Sequence, residues 1–423
     1  MKYEDSTYDR LIEELFAKHP TVQKAGFGNG AYKPGLEGMG KLDDSLGNPW
    51  KNYRCIHVAG TNGKGSVSSM LTAALAAEGL KVGLYTSPHL VDFRERMKII
   101  SKKDGNYTKT LIPKEDVFEF LTQNDLEGLS FFEITTGMAF SWFAACKVDA
   151  AVIEVGLGGR LDSTNIITPE LSVVTSIGLD HCAMLGDTRA KIASEKAGIF
   201  KNGVPAVVAV RDEETAPVFE QTAAHTGAIL SFADERPCPD GIIEKLDLKG
   251  PYQKLNVRTT LAALDRIGIK ADLEAICRTA EITGFHGRWE KIQDSPEVIC
   301  DIGHNPAALA INFKELSGLG RPLAIVYGIM ADKDLDGIAP LMPAGAEYIL
   351  AAPATERSLK VGELYARLRA LRPDLTVSAA DSVADAVRIA LEKASADPRS
   401  LVYIGGSTFV VSEAVTYLKH NTE

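Results

Sequence analysis

Seven residues, Gly60-Thr61-Asn62-Gly63-Lys64-Gly65-Ser66, carry the strongest chemical signal in the chain. They follow the largely apolar run Arg54-Cys55-Ile56-His57-Val58-Ala59 and precede a helical pattern. A strand that feeds a glycine turn and then a helix offers unpaired backbone N–H groups and the positive end of a helix dipole to an anion. The glycines let the backbone approach phosphate oxygens, and Lys64 adds a point charge on the β/γ side of a nucleoside triphosphate. Ser66 is placed to meet a Mg²⁺ ion, or equally to cap the helix that it opens. The spacing departs from G-x-x-x-x-G-K-[ST]: Gly65 stands between Lys64 and Ser66, and the first glycine is one residue nearer. A plain glycine-rich turn with one exposed lysine is the competing reading.

Further along, several residues suit the same chemistry. Glu154 closes the apolar run Ala150–Ile153, and a carboxylate at that edge can bind Mg²⁺ through hard oxygen or serve as a hydrogen-bonding cap. His181 follows Leu171–Ile177 and a Gly178-Leu179-Asp180 turn, where imidazole suits a metal or a structural role. Lys196 lies in the apolar turn Ile192–Ile199; a lysine drawn out of water has a lowered pKa and a nucleophilic amine, whereas a surface lysine would have neither. Arg288 offers a fixed guanidinium for a γ-phosphate on closure of a cleft. Asp301 ends an apolar run, where a carboxylate suits ribose hydroxyls, and His304 and Asn305 open the next helix, within reach of phosphate and nucleotide.

Elements must hold these groups in place. Short β-branched runs at Arg54–Ala59, Val82–Thr86, Ala150–Val155, Leu171–Ile177 and Val204–Val210 read as strands, as do Val298–Ile302, Leu323–Gly328, Glu347–Ala351, Leu375–Ala379 and Leu401–Gly405. Helical patterns alternate with them, at Ser66–Glu78, Glu133–Cys146, Ile192–Phe200, Pro306–Ser317 and Val383–Ala394. Such alternation predicts an α/β fold with mostly parallel sheets and ligands at the carboxyl ends of the strands. Residues 24–49 read as a long loop, and Gly26-Phe27-Gly28-Asn29-Gly30 follows no strand and is no dinucleotide fingerprint. A break near Gly284–Pro296 sets the expected domains at 1–285 and 297–423, joined by a hinge that carries His286 and Arg288. No Ser-His-Asp, Cys-His or zinc arrangement is suggested.

The loop resembles that of the Mur-ligase superfamily, and more narrowly that of the folylpolyglutamate synthase/dihydrofolate synthase family. The likeness continues through Thr86-Ser87-Pro88-His89-Leu90 with Arg94-Glu95-Arg96, and through Glu154-Val155-Gly156-Leu157-Gly158-Gly159-Arg160-Leu161-Asp162-Ser163-Thr164-Asn165. It runs on through Leu179-Asp180-His181, Leu185-Gly186-Asp187-Thr188 and Ala193–Ile199 to His286-Gly287-Arg288-Trp289-Glu290 and Asp301-Ile302-Gly303-His304-Asn305-Pro306. These motifs stand in the family's order over about residues 25–410; the family usually has alanine where Gly303 stands. The resemblance implies an N-terminal P-loop nucleotide-binding domain of Mur-ligase type and a smaller C-terminal Rossmann-like domain. It implies an amide ligase in which ATP phosphorylates a folate or dihydropteroate carboxylate and the amine of L-glutamate attacks the acyl phosphate. It further implies Ser87, Glu154 and His181 as Mg²⁺ ligands, and a carbamate on Lys196 that reverses its charge and makes it a Mg²⁺ ligand or positioning group. Phe131, Phe132 and Asp162 look like the pterin-facing elements, by stacking and by a carboxylate on ring nitrogens; the two rings equally suit a core.

Composition bounds the partners. The 423 residues hold 45% hydrophobic residues, enough for a core in each half. Forty-six Lys and Arg against 56 Asp and Glu give a net charge of −10, which argues against nucleic acid and anionic membranes. ATP, folate and glutamate are also anions, so positive charge must be gathered locally by Lys64, Arg288, a helix N-terminus and Mg²⁺. Six dispersed cysteines, a polar N-terminus and no long apolar run predict a reduced, cytoplasmic protein, expected to be a monomer. A cell-wall ligase acting on UDP-muramoyl peptides would need a whole domain before the loop, and 59 residues precede Gly60. A partner-driven nucleotide-binding module would explain residues 54–66 but not Arg288 or the Asp301–Pro306 motif.

Overall fold

Five consecutive buried residues, Cys55 to Ala59, make β1 (Arg54–Ala59) the centre of a sheet covered on both faces. The computed structural model describes residues 4–19 and 35–422, so Gly26–Gly30 and positions 24–34 of the expected 24–49 loop lie outside the described residues. The first sheet is completed by β2 (Val82–Tyr85), β3 (Met97–Lys103), β4 (Asn106–Leu111), β5 (Ala150–Glu154), β6 (Leu171–Val174), β7 (Pro205–Val208) and β8 (Ile229–Phe232). Their order is β4-β3-β2-β5-β1-β6-β7-β8. Only β3 and β4 run against their neighbours, as a hairpin turned at Asp104-Gly105, both with positive φ.

The helix Lys64–Ala77 is built from small and apolar residues and is buried from Gly65 to Ala76. It packs on the sheet and on the helices Gln253–Arg266 and Thr279–Thr283. The helix Phe131–Ala145 opens with a capping box in which Ser130 and Glu133 exchange bonds. Residues 37–45, expected within a loop, form a helix instead. Met39 and Leu42, three apart, bury one face of it and outweigh Gly38 and Gly40.

The chain divides into two compact units. The first takes the described residues up to Asp247 together with Gln253–Phe285; the second takes Leu248–Tyr252 and residues from His286 on. The second unit has its own sheet, of β9 (Glu290–Asp294), β10 (Glu297–Asp301), β11 (Leu323–Tyr327), β12 (Ala346–Leu350), β13 (Thr376–Ala379) and β14 (Leu401–Gly405). The order is β13-β12-β11-β14-β10-β9, parallel except for β9. Residues 286–296 are therefore not a bare connection: most of them form β9 and its turn into β10. Among the described residues no helix is long and apolar enough to cross a membrane.

Candidate active site

The phosphate loop is set by two glycines and by the end of β6. Gly60 and Gly63 have φ of 149° and 92°, where a side chain is strained, and a Cβ on either would collide with Thr175 or Asn256. Thr61 N–H donates to the Ser176 carbonyl at 2.8 Å, and the Thr61 hydroxyl exchanges bonds with Gly178. The hydroxyls of Thr175 and Ser176 donate to the Asn62 carbonyl at 2.8 and 3.0 Å. The loop backbone is thereby fixed before any anion arrives.

Two lysines close on this loop. Lys64 Nζ donates to the carbonyls of Gly60 and Thr61, at 3.1 and 3.3 Å. Lys196, only 4% exposed on the helix Arg189–Ala197, donates to the same Gly60 carbonyl at 2.8 Å. Burial, followed by the neighbouring Lys64 charge, lowers the Lys196 pKa to about 7. Lys196 is thus a buried lysine rather than a surface one. Its backbone is held by the 156–166 segment. Arg160 N–H donates to the Glu195 carbonyl at 2.8 Å, and Asn165 bridges the carbonyls of Arg160 and Gly198.

Glu154 lies at the end of β5, 3% exposed, with Oε2 accepting the Ser87 N–H at 3.1 Å. The same oxygen is 3.6 Å from the Cβ position of Gly65, so the carboxylate faces the first turn of the loop helix. Ser66 Oγ is buried and has no hydrogen-bond partner. A buried hydroxyl left unmatched, in a helix turn faced by a carboxylate, fits a hard divalent cation with oxygen ligands. Ser87 is joined to this group through its N–H. His181 adopts a left-handed φ of 52°, and its backbone N–H donates to Asp180 Oδ1 at 2.9 Å. Among the described residues no three His, Cys, Asp or Glu side chains form a cation cage.

The expected pterin-facing residues sit differently. Phe131 is a core residue: its ring stacks on Phe16 at 5.0 Å and packs edge-on to Phe93. Phe132 lies over Gly156, whose added Cβ would stand 2.5 Å from its Cζ, and tilts against Tyr85. Asp162 is buried and holds the turn Ser163–Ile166. Its Oδ1 accepts from the Thr164 N–H and hydroxyl and its Oδ2 from the Leu157 N–H, so both oxygens hold the segment 157–164 together.

In the second unit Asp301 is likewise engaged. Its Oδ2 accepts from the Tyr252 hydroxyl at 2.5 Å and the Trp289 N–H at 2.9 Å; its Oδ1 accepts from the Gly303 N–H and Asn312. Four donors make it the organiser of the 301–305 turn. Asn305 caps the helix Pro306–Gly318 through Ala308 N–H at 2.9 Å, and His304 Nδ1 lies 3.1 Å from the Ile302 carbonyl. Arg288 donates to the Gly287 carbonyl at 3.1 Å.

Residues without a sequence signal complete the site. Thr175, Ser176 and Asn256 brace the loop from more than a hundred positions away, and only the fold brings them there. Arg96, by contrast, belongs to the Arg94-Glu95-Arg96 motif; 2% exposed, it lies 5.1 Å over the Phe131 ring and donates to His89 Nδ1 at 2.9 Å.

The two units are those of a Mur ligase. Residues 58–249 match the Mur ligase middle domain and residues 287–408 the Mur ligase glutamate ligase domain. Within that class the chain belongs to the folylpolyglutamate synthase/dihydrofolate synthase family. The dihydrofolate synthase/folylpolyglutamate synthase of Bacillus subtilis is 36% identical over 333 residues, 71% of this chain and 76% of that protein. A protein of Haloferax volcanii named as a bifunctional folylpolyglutamate synthase/dihydropteroate synthase is 33% identical over 91% of this chain. The chain spans about half of its length, 48%. A crystal structure of a bifunctional folylpolyglutamate synthase/dihydrofolate synthase with Mn, AMPPNP and L-glutamate bound superposes with a TM-score of 0.77. It is 30% identical, over 92% of this chain and 95% of that one.

Proposed function

We propose that this protein is an ATP-dependent amide ligase that joins L-glutamate to a folate, to dihydropteroate, or to both. The convergence of Lys64 and a buried Lys196 on one carbonyl of a pre-formed phosphate loop carries the reading. The family names and the AMPPNP, Mn and glutamate of the superposed structure support the substrates.

In this reading the N–H groups at the start of the helix Lys64–Ala77, with Lys64, hold the phosphates of ATP. The γ-phosphoryl group passes to the pterin substrate's carboxylate, breaking its bond to ADP and forming an acyl phosphate. The amine of glutamate then attacks the acyl carbon: a C–N bond forms, the C–O bond breaks and phosphate leaves. Ser66 and Glu154, with Ser87 and His181 about them, would hold a Mg²⁺ ion, which supplies charge neutralisation to the transferring phosphoryl. The neutral Lys196 amine attacks CO₂, forming an N–C bond and releasing one proton to solvent, and the resulting carbamate places an anion, in place of the lysine's positive charge, that positions the metal side of the site. Arg288, His304 and Asn305 are assigned to the nucleotide. Asp162 and Asp301 act by shaping the turns that carry neighbouring groups. The enzyme works as a monomer in the cytoplasm, where its six free cysteines stay reduced.

Purified protein with ATP, Mg²⁺ and labelled glutamate, offered dihydropteroate or a tetrahydrofolate, tests this. Label is expected in at least one product. Label in neither, with ATP hydrolysed regardless of folate and glutamate, would replace the ligase by a nucleotide-driven partner module.

A further inference from the structure

The last residue of the first unit touches the phosphate loop. A Cβ built on Gly65 would stand 2.6 and 2.8 Å from Cζ and Cε2 of Phe285, so the ring occupies the space that the glycine leaves open. The Glu154 carboxylate borders the same point at 3.6 Å. The ring thus covers the first helical turn beside the oxygens assigned to the cation.

The residues before the ring are fastened independently. Lys98, 3% exposed on β3, donates through Nζ to the carbonyls of Thr283 and Gly284, at 3.1 and 2.9 Å. These carbonyls end the helix Thr279–Thr283, where a cation is favoured, and Gly284 turns the chain there with φ of 59°. The ring of Phe285 is therefore held between a fixed root and the phosphate loop. His286 begins the second unit, and Arg288 follows two residues later. A shift of the ring passes through the covalent chain into that segment.

We propose that Phe285 is a positioning residue which, rooted by Lys98, transmits occupancy of the phosphate loop to the segment 286–290. The proposal rests on the nucleotide reading of residues 60–66.

Hydrogen–deuterium exchange of the full chain, with and without AMPPNP and Mg²⁺, reads the coupling directly over residues 279–292. Exchange in the wild type is expected to slow at least about fivefold on binding. Phe285→Ala should bind AMPPNP within about threefold of wild type yet lose the slowing, with kcat for ligation about 10- to 100-fold lower and little change in KM for ATP. Phe285→Tyr should restore both. Should the alanine variant not fold, Phe285→Leu and Lys98→Met serve, with a melting temperature near wild type and the same lost response. AMPPNP binding without slowing in the wild type, or full slowing and kcat in Phe285→Leu, overturns the proposal alone. Failure of the wild type to bind AMPPNP overturns the nucleotide reading and this proposal with it.

Discussion

Lys64 and Lys196, 132 positions apart in sequence, donate to one acceptor, the carbonyl oxygen of Gly60, at 3.1 and 2.8 Å. Burial first, and then repulsion from the neighbouring Lys64 ammonium, lowers the Lys196 pKa to about 7, while Lys64 keeps a partly open position. The pair is thus differentiated by burial.

Loss of either lysine should be severe for different reasons. Lys64→Ala is expected to lower kcat/KM about 10²- to 10³-fold by removing charge from the phosphates. Lys196→Ala should abolish turnover, and Lys196→Arg should not rescue it, because a guanidinium stays charged and takes up no CO₂. ¹³C NMR with labelled bicarbonate should show a carbamate signal in the wild type and none in Lys196→Arg. Wild-type activity should rise with pH through about 7 as the amine becomes neutral. Full activity of Lys196→Ala would exclude the carbamate.

Ser66→Ala separates metal binding from folding. Its hydroxyl makes no hydrogen bond in the buried first turn, so removal costs no protein contact and the melting temperature should hold. The Mg²⁺ concentration for half-maximal activity should rise about tenfold. Thermal melts beside a Mg²⁺ titration give both numbers.

Gly159→Ala tests the seat of Lys196. Its Cβ would stand 2.7 Å from the Glu195 carbonyl oxygen and 3.0 Å from Lys196 Cα, both backbone atoms that cannot swing aside. Overpacking of this kind costs about 1–3 kcal/mol. Because it pushes the Lys196 backbone, activity should fall by more than the unfolded fraction measured in urea explains.

His57 predicts an acid limb of stability. It is fully buried, with Nε2 2.8 Å from Thr164 Oγ1, and burial, aided by Lys201, lowers its pKa to about 3. From pH 6.5 down to 3 the unfolded chain binds a proton that the folded one refuses. The stability from this group is therefore complete above 6.5 and falls by about 1.4 kcal/mol per pH unit below it. Urea unfolding of the wild type and His57→Gln at pH 7 and 5.5 should show a shallower loss in the variant.

The legible parts of the fold are those with a strong local pattern. β1, its glycine turn and the following helix announce themselves because a continuous apolar run meets Gly60 and Gly63. β3 and β4 do not, because Lys98, Lys102, Lys103 and Lys109 interrupt the β-branched residues, and only the pairing of the hairpin explains their place. Residues 37–45 look like a loop by glycine content, yet two buried side chains suffice to make a helix. Site residues are legible by type but not by employment. Asp162 and Asp301 have the chemistry to contact a ligand, and the hydrogen bonds that engage them are made with Thr164, Leu157, Tyr252 and Asn312, which no spacing rule connects.

The central position of β1 also fixes when the site can exist during synthesis. β1 pairs with β5 and β6, and the loop beyond it is braced by Thr175, Ser176, Lys196 and Asn256. A nascent chain that has just produced residues 60–66 therefore has the complete phosphate-binding sequence and no phosphate-binding surface. Closure of loops longer than a hundred residues must come first, which is a slow event for parallel strands. Nucleotide affinity is thus acquired late, after most of the first unit has left the ribosome, so ATP can stabilise only a nearly complete first unit.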